Sequence, residues 1–159
     1  MANAVYYDVI AAVQTAIQGL SLLLPDTTVL PSARVYKRKV LTDRNMTLPA
    51  VCVFMPPAGE MADGGTNESD DWGHAVGVAI IAASNQDYEL DSDDDYLLTW
   101  RQRIRRLFHN VRLAGFTAVR QKTCRWEPAA VIEYGAWQED NLWVQGGIVR
   151  VPTREPRTT

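Results

Sequence analysis

Apolar residues recur at helical spacing near the start of the chain, where Val5, Val9, Val13 and Ile17 stand four apart with Ala12 and Ala16 beside them. That stripe predicts an amphipathic helix ending near Gly19. Leu20 to Pro31 follows as an apolar connector, because Pro25 and Pro31 stop a helix from continuing. Arg34 to Leu41, with β-branched or apolar ends and Lys37-Arg38-Lys39 at its centre, reads as a charged edge strand. Its expected partner is Leu48 to Met55, reached through a turn at Thr42 to Thr47, so the two would form a first hairpin.

Pro56-Pro57 ends the second strand, and the Gly-rich, acidic stretch behind it has no period, so residues 56–71 read as a long loop and a candidate contact arm. Trp72 to Ala83 then alternates strictly. Trp72, His74, Val76, Val78 and Ile80 share one face, and Gly73, Ala75, Gly77 and Ala79 form a small-residue face expected to admit a helix at close range. Leu97, Leu98, Trp100, Ile104, Leu107, Phe108 and Val111 predict a second helix from about Asp93 to Asn110, with acids at its start and arginines in its later turns. Thr117 to Trp126, a short piece at Ala129 to Tyr134, and Leu142 to Val151 read as strands, with a turn at Glu139-Asp140-Asn141 and a mobile polar tail from Pro152. The expected fold is α+β: a mainly antiparallel sheet of about four to five strands packed against two helices, as one domain over residues 1–152 with residues 153–159 as tail.

The chain has 159 residues, 47% hydrophobic and 22% charged, which suits a single core and leaves disorder only for the ends. No apolar stretch approaches the roughly 20 residues of a membrane-spanning helix, and the N-terminus lacks the features of a secretory signal, so a cytoplasmic folding site is expected. Cys52 and Cys124 lie within apolar or strand-like stretches and read as buried free thiols.

Catalytic and metal motifs were sought at each chemistry-bearing cluster. A calcium loop beginning at Asp91 would need Gly at its sixth position and Glu at its twelfth, where Tyr96 and Gln102 stand. His74 and His109 have no motif linking them to a carboxylate or thiol, neither Gly64-Gly65 nor Gly146-Gly147 belongs to a phosphate loop, and no serine occupies a nucleophile elbow. Neither an enzyme nor a cofactor is therefore expected. An enzyme would instead require a concave pocket with converging polar groups.

Charge segregation changes the picture. Residues 45–100 carry eleven acids and no Lys or Arg, whereas residues 101–126 carry eight basic residues and no acid. A solvated acidic loop and a solvated basic helix face would produce this pattern without a partner. The functional reading brings the two surfaces together across copies, with Glu60, Asp63, Glu68, Asp70 and Asp71 facing Arg103, Arg105 and Arg106 in a head-to-tail contact that closes a ring. Replacing those three arginines by Ala would then weaken self-association without unfolding the domain. Dedicated nucleic-acid binding is not expected at a net charge of -3, although the arginines could meet phosphates locally.

The order of elements, from the N-terminal helix through Leu48-Pro49-Ala50-Val51-Cys52-Val53-Phe54 to Gly147-Ile148-Val149-Arg150-Val151, resembles the tail terminator and tail-completion proteins of tailed bacteriophages. That resemblance spans residues 5–152 and rests on element order and texture. It implies a small α+β virion subunit, assembled in the host cytoplasm, that forms a ring, commonly a hexamer. The ring would cap the tail tube and meet neck or head-completion proteins, with no cofactor and no membrane. The resemblance assigns no individual functional residue, and its pattern does not require so long an acidic loop.

Overall fold

The computed structural model describes residues 4–83, 95–115, 120–128 and 140–157. Two helices, α1 (Val5–Gln18) and α2 (Asp95–Phe108), lie with one face of a seven-stranded sheet. The strands are β1 (Val35–Arg38), β2 (Ala50–Phe54), β3 (Glu60–Gly65), β4 (Ser69–Ala83), β5 (Arg120–Gln121), β6 (Arg125–Pro128) and β7 (Leu142–Pro156). The α+β class stands, with more strands than the four to five expected. Among the described residues no helix is long and apolar enough to cross a membrane.

The apolar stripe of α1 buries Val9, Ile10, Val13 and Ile17, and that of α2 buries Leu97, Trp100, Ile104 and Phe108. Asp95 in the first turn of α2 and Arg105 and Arg106 in its last turn oppose the helix dipole in the favourable sense. The start expected at Asp93 lies outside the described residues, and the helix ends two positions before Asn110.

Strands β4 and β7 form the spine, antiparallel and paired without a break from Ser69↔Pro156 to Ala83↔Leu142. β2 and β3 follow one another along one edge of β4, while β5 and β6 follow one another along the far edge of β7. Alternation sends Val76, Val78 and Ile80 of β4, with Val149 and Val151 of β7, into the core beneath the helices. Fully burying a side chain of this size contributes about 1.5 to 3 kcal/mol, so this face supplies much of the stability.

Several expectations are corrected. β1 pairs with β2 in parallel, Val35↔Val51 through Arg38↔Phe54, and the two do not form a hairpin. Parallel neighbours need a crossover connection, and residues 39–49 provide it. Leu41, Met46 and Leu48 within that segment pack on Cys52, Phe54, Ala79, Ile81, Leu142 and Val144. The stretch read as a turn, with the strand ends Leu41 and Leu48 on either side of it, thus closes the back of the sheet, because Leu41, Met46 and Leu48 are apolar and must be buried.

The small-residue face of β4 is this back face, not the helix side. Phe54 from β2 lies over Gly77, where any Cβ would collide with the ring; on the other face Trp126 covers Gly147 in the same way. The glycines therefore make room for aromatic rings of neighbouring strands, and helix approach does not explain them.

Residues 60–65 are a strand where a loop was expected, joined to β4 by a tight turn closed by Thr66 N–H donating to Ser69 O at 2.7 Å. The last strand runs past Val151 to Pro156, pairing with residues 69–73, so most of the expected tail is sheet. Their polar composition hid the pairing, because both strands are only partly covered here. Where one strand ending at Trp126 was expected, two short strands stand, β5 and β6, the second running past Trp126 to Pro128; the piece expected at Ala129 to Tyr134 lies outside the described residues. Both thiols are free and buried, and burial pushes each up to about 11.

Candidate interaction site

Beyond His74 the sheet leaves its apolar core and continues as an arm built from β3, residues 69–74 of β4 and residues 151–156 of β7. Every residue of β3 is exposed. The pairing register shifts between Ala62 and Gly64, a bulge that twists this open edge away from further strand pairing.

The arm's acids mostly find partners within the chain. Arg154 grips Asp71 in a bidentate pair, Nε to Oδ1 at 2.6 Å and Nη2 to Oδ2 at 2.8 Å, and Lys122 Nζ stands 3.6 Å from Asp71 Oδ2. These hydrogen bonds, Arg154's first, hold the Asp71 carboxyl at about 2, below the usual carboxylate range. Arg157 Nε donates to Asp70 Oδ1 at 2.8 Å, and its own backbone N–H reaches Glu68 O at 2.9 Å. Arg150 binds Glu127 through Nε at 3.0 Å and Nη2 at 3.3 Å; Glu127, with Asp63 nearby, holds the guanidinium more firmly protonated. Asp70 and Asp71 thus spend their charge on Arg157, Arg154 and Lys122, and Asp63 lies beside Arg150; Glu60, Asp63 and Glu68 are the exposed acids of the arm.

The three arginines proposed as their counterparts divide. Arg103 donates to the carbonyls of Leu20 and Ser21, satisfying backbone acceptors just past α1, while Trp100 Nε1 donates to Leu23 O at 2.7 Å. Those bonds fasten α2 to the connector, so Arg103 is part of the frame. Arg105 and Arg106 are exposed, as is Arg101. A shallow concavity of about 330 Å³ lies along this side of α2, lined by Asp95, Leu98, Thr99, Arg101, Gln102 and Arg105. Among the described residues neither Arg105 nor Arg106 meets the acidic arm.

The root of the arm holds a cluster that sequence reading passed over. His74 on β4 is 1% exposed. Its Nε2 lies 2.8 Å from Thr153 Oγ1 and 3.4 Å from Glu155 Oε1, and its Nδ1 lies 3.1 Å from Glu60 Oε1 without an aligned hydrogen bond. Tyr6 of α1 sets its ring 5.5 Å from the imidazole and donates its hydroxyl to Ala75 O at 2.6 Å. Burial, then Glu60, pushes the Tyr6 phenol up to about 12. The partners of His74 lie 14 residues back and 79 and 81 ahead, which is why no local motif announced them.

Carboxylate, imidazole and hydroxyl in this order have the connectivity of a nucleophile triad. Thr153, however, is 1% exposed, so its hydroxyl is closed to a substrate in this conformation. The two carboxylates approach opposite ring nitrogens and do not converge on one ion; among the described residues no His, Cys, Asp and Glu group suits a metal. His109, at the end of α2, is exposed and stands apart from this cluster. The chain matches no protein-family model and no curated protein.

Proposed function

We propose that this chain is a non-catalytic structural subunit that assembles head to tail into a ring, the tail terminator of a tailed bacteriophage virion. In that reading the ring caps the tail tube and presents its other side to the neck. The observation that carries the proposal is the pair of separated charged surfaces: an exposed acidic strand and turn on the arm, and an exposed basic side of α2 with a concavity beside Arg101 and Arg105. A heterologous contact needs two different patches on each copy. The turn at Glu68 carries the acid left to meet Arg105 and Arg106 of a neighbour, whereas Asp63 lies beside Arg150, and Asp70, Asp71 and Arg103 serve the subunit itself. Element order and the α+β layering fit the resemblance drawn from the sequence, and they support the reading without identifying its partners.

Light scattering on the purified chain, alone and with terminator-free tail tubes, tests the proposal. Expected are masses that are multiples of 17.8 kDa, or capture by the tube end, both weakened by salt and by the double change Arg105→Glu and Arg106→Glu. A chain that stays monomeric at low salt and ignores the tubes overturns it.

A further inference from the structure

We propose that the open β1 edge of the sheet is a binding site for the phosphate backbone of a nucleic acid. This goes beyond the ring reading and uses neither the acidic arm nor α2.

Bases gather a second time along the chain. Residues 27–59 hold five of them, Arg34, Lys37, Arg38, Lys39 and Arg44, against the single acid Asp43. The fold keeps them at one border, since β1 is the outermost strand beside β2 and Lys39 follows it directly. The crossover then turns back over the same strand, where Thr47 N–H donates to the Tyr36 hydroxyl at 2.9 Å. Among the described residues none of the five cations forms an ion pair, whereas Arg150, Arg154 and Arg157 each hold a carboxylate. Neighbouring positive charges repel one another, and an anion laid along them relieves that repulsion.

Two of the cations are held in place by tyrosine rings. Lys37 Nζ stands 4.2 Å from the centre of the Tyr7 ring and donates to its hydroxyl at 2.9 Å. The Arg38 guanidinium stands 4.9 Å from the centre of the Tyr36 ring, and its Nη1 donates to Lys37 O at 3.3 Å. A ring attracts a cation without neutralising it, and a side chain already held loses less freedom when it binds. An ammonium has three N–H donors and a guanidinium five, so both keep donors for a phosphate oxygen.

The same contacts bear on the choice of partner. Val35 O accepts from Gln14 Nε2 at 2.7 Å and Lys37 O from Arg38, so a further strand joining this edge would have to displace side-chain donors, and recognition falls to the cations. Lys37 shares the face of Val53 and Arg38 the face of Phe54, which puts charge on both sides of the edge. An extended chain rises about 3.3 Å per residue, so Lys37, Arg38 and Lys39 present charge at nearly the roughly 3.4 Å interval of phosphates along one strand of a duplex. A second copy of the chain offers no comparable run of free acids, because Asp70 and Asp71 are engaged by Arg157 and Arg154. The net charge of -3 conceals this edge and restricts binding to low salt.

Fluorescence anisotropy with a labelled oligothymidylate of about 16 nucleotides tests the proposal on the full chain. Binding is expected at low salt, falling roughly twentyfold between about 50 and about 200 mM as counterions return to three phosphates. The double change Lys39→Glu and Arg44→Glu should weaken it by at least about tenfold; both side chains are exposed, and circular dichroism should show the fold retained. Arg105→Glu with Arg106→Glu should leave it unchanged. No binding at low salt, a loss equal at the α2 pair, or no loss in the β1-edge variant overturns the proposal. Displacement of the oligonucleotide by polyglutamate at equal charge also overturns it, and assigns the edge to an acidic protein surface instead.

Discussion

Strands β4 and β7 run side by side in one register, yet their two halves are held by different physics. From Ala75 to Ala82 of β4, and over the residues of β7 paired with them, both faces are mostly apolar, with Arg150 and Gln145 as polar exceptions on β7, helices on one side and residues 39–49 on the other. From Ser69 to His74 the same backbone ladder continues, but its side chains are Asp70, Asp71 and His74 against Arg154, Glu155 and Arg157. Pairing sets the path of both halves equally. What covers the faces sets their stability, because an exposed ion pair contributes only about 0.2 to 1 kcal/mol and a buried Ile or Val about 1.5 to 3. The arm is thus the part of the sheet that can open while the rest stays folded.

The largest break in this contrast is expected from Ile81→Ala in the core half. Ile81 is fully buried, and the cavity should lower stability by about 2 to 5 kcal/mol, read as a shift in the urea midpoint for the whole chain. Gly77→Ala comes next, at about 1 to 3 kcal/mol, since its methyl group meets the Phe54 ring. In a double-mutant cycle Phe54→Leu should recover part of that loss; strict additivity would show that the ring and the glycine are not coupled. Arg103→Ala should destabilise by about 1 to 2 kcal/mol through the freed carbonyls of Leu20 and Ser21, while Arg105→Ala and Arg106→Ala stay within about 0.5 kcal/mol. Equal effects at all three positions would contradict the division between frame and surface.

The smallest global effect, and the sharpest local one, concerns acid. The Asp71 carboxyl is held at about 2 against an ordinary value of 3.8, so its pair with Arg154 contributes above about pH 4 and is lost as pH falls towards 2. Between those values proteolysis at the arm should rise before the near-ultraviolet circular dichroism of the core changes, and Asp71→Asn should show the raised proteolysis already at neutral pH.

Legibility in the sequence followed contact range. The stripe Val9, Val13, Ile17 and the stripe Leu97, Trp100, Ile104, Phe108 repeat at the period of a helix, and Trp72 to Ala83 at that of a strand; these are properties of neighbouring residues, and the structure keeps all three. The burial of Cys52 and Cys124 was legible for the same reason. The arm was not, because Glu60 to Gly65 is a strand through its pairing with β4 and carries no alternation of its own. Residues 152–156 likewise become sheet only because residues 69–73 lie beside them.

What the sequence by itself determined is therefore the set of local elements, the α+β class, and the segregation of acids from bases along the chain. Tertiary structure alone decided that β1 runs parallel to β2, that an aromatic ring rather than a helix covers Gly77, and that Asp70 and Asp71 answer to Arg157 and Arg154. It also decided that Glu60, Thr153 and Glu155 meet around the buried imidazole of His74. Periodicity records which side of an element is apolar, but not which distant segment will cover that side. Charges close in sequence say equally little about pairing, because a sheet brings together residues more than eighty positions apart.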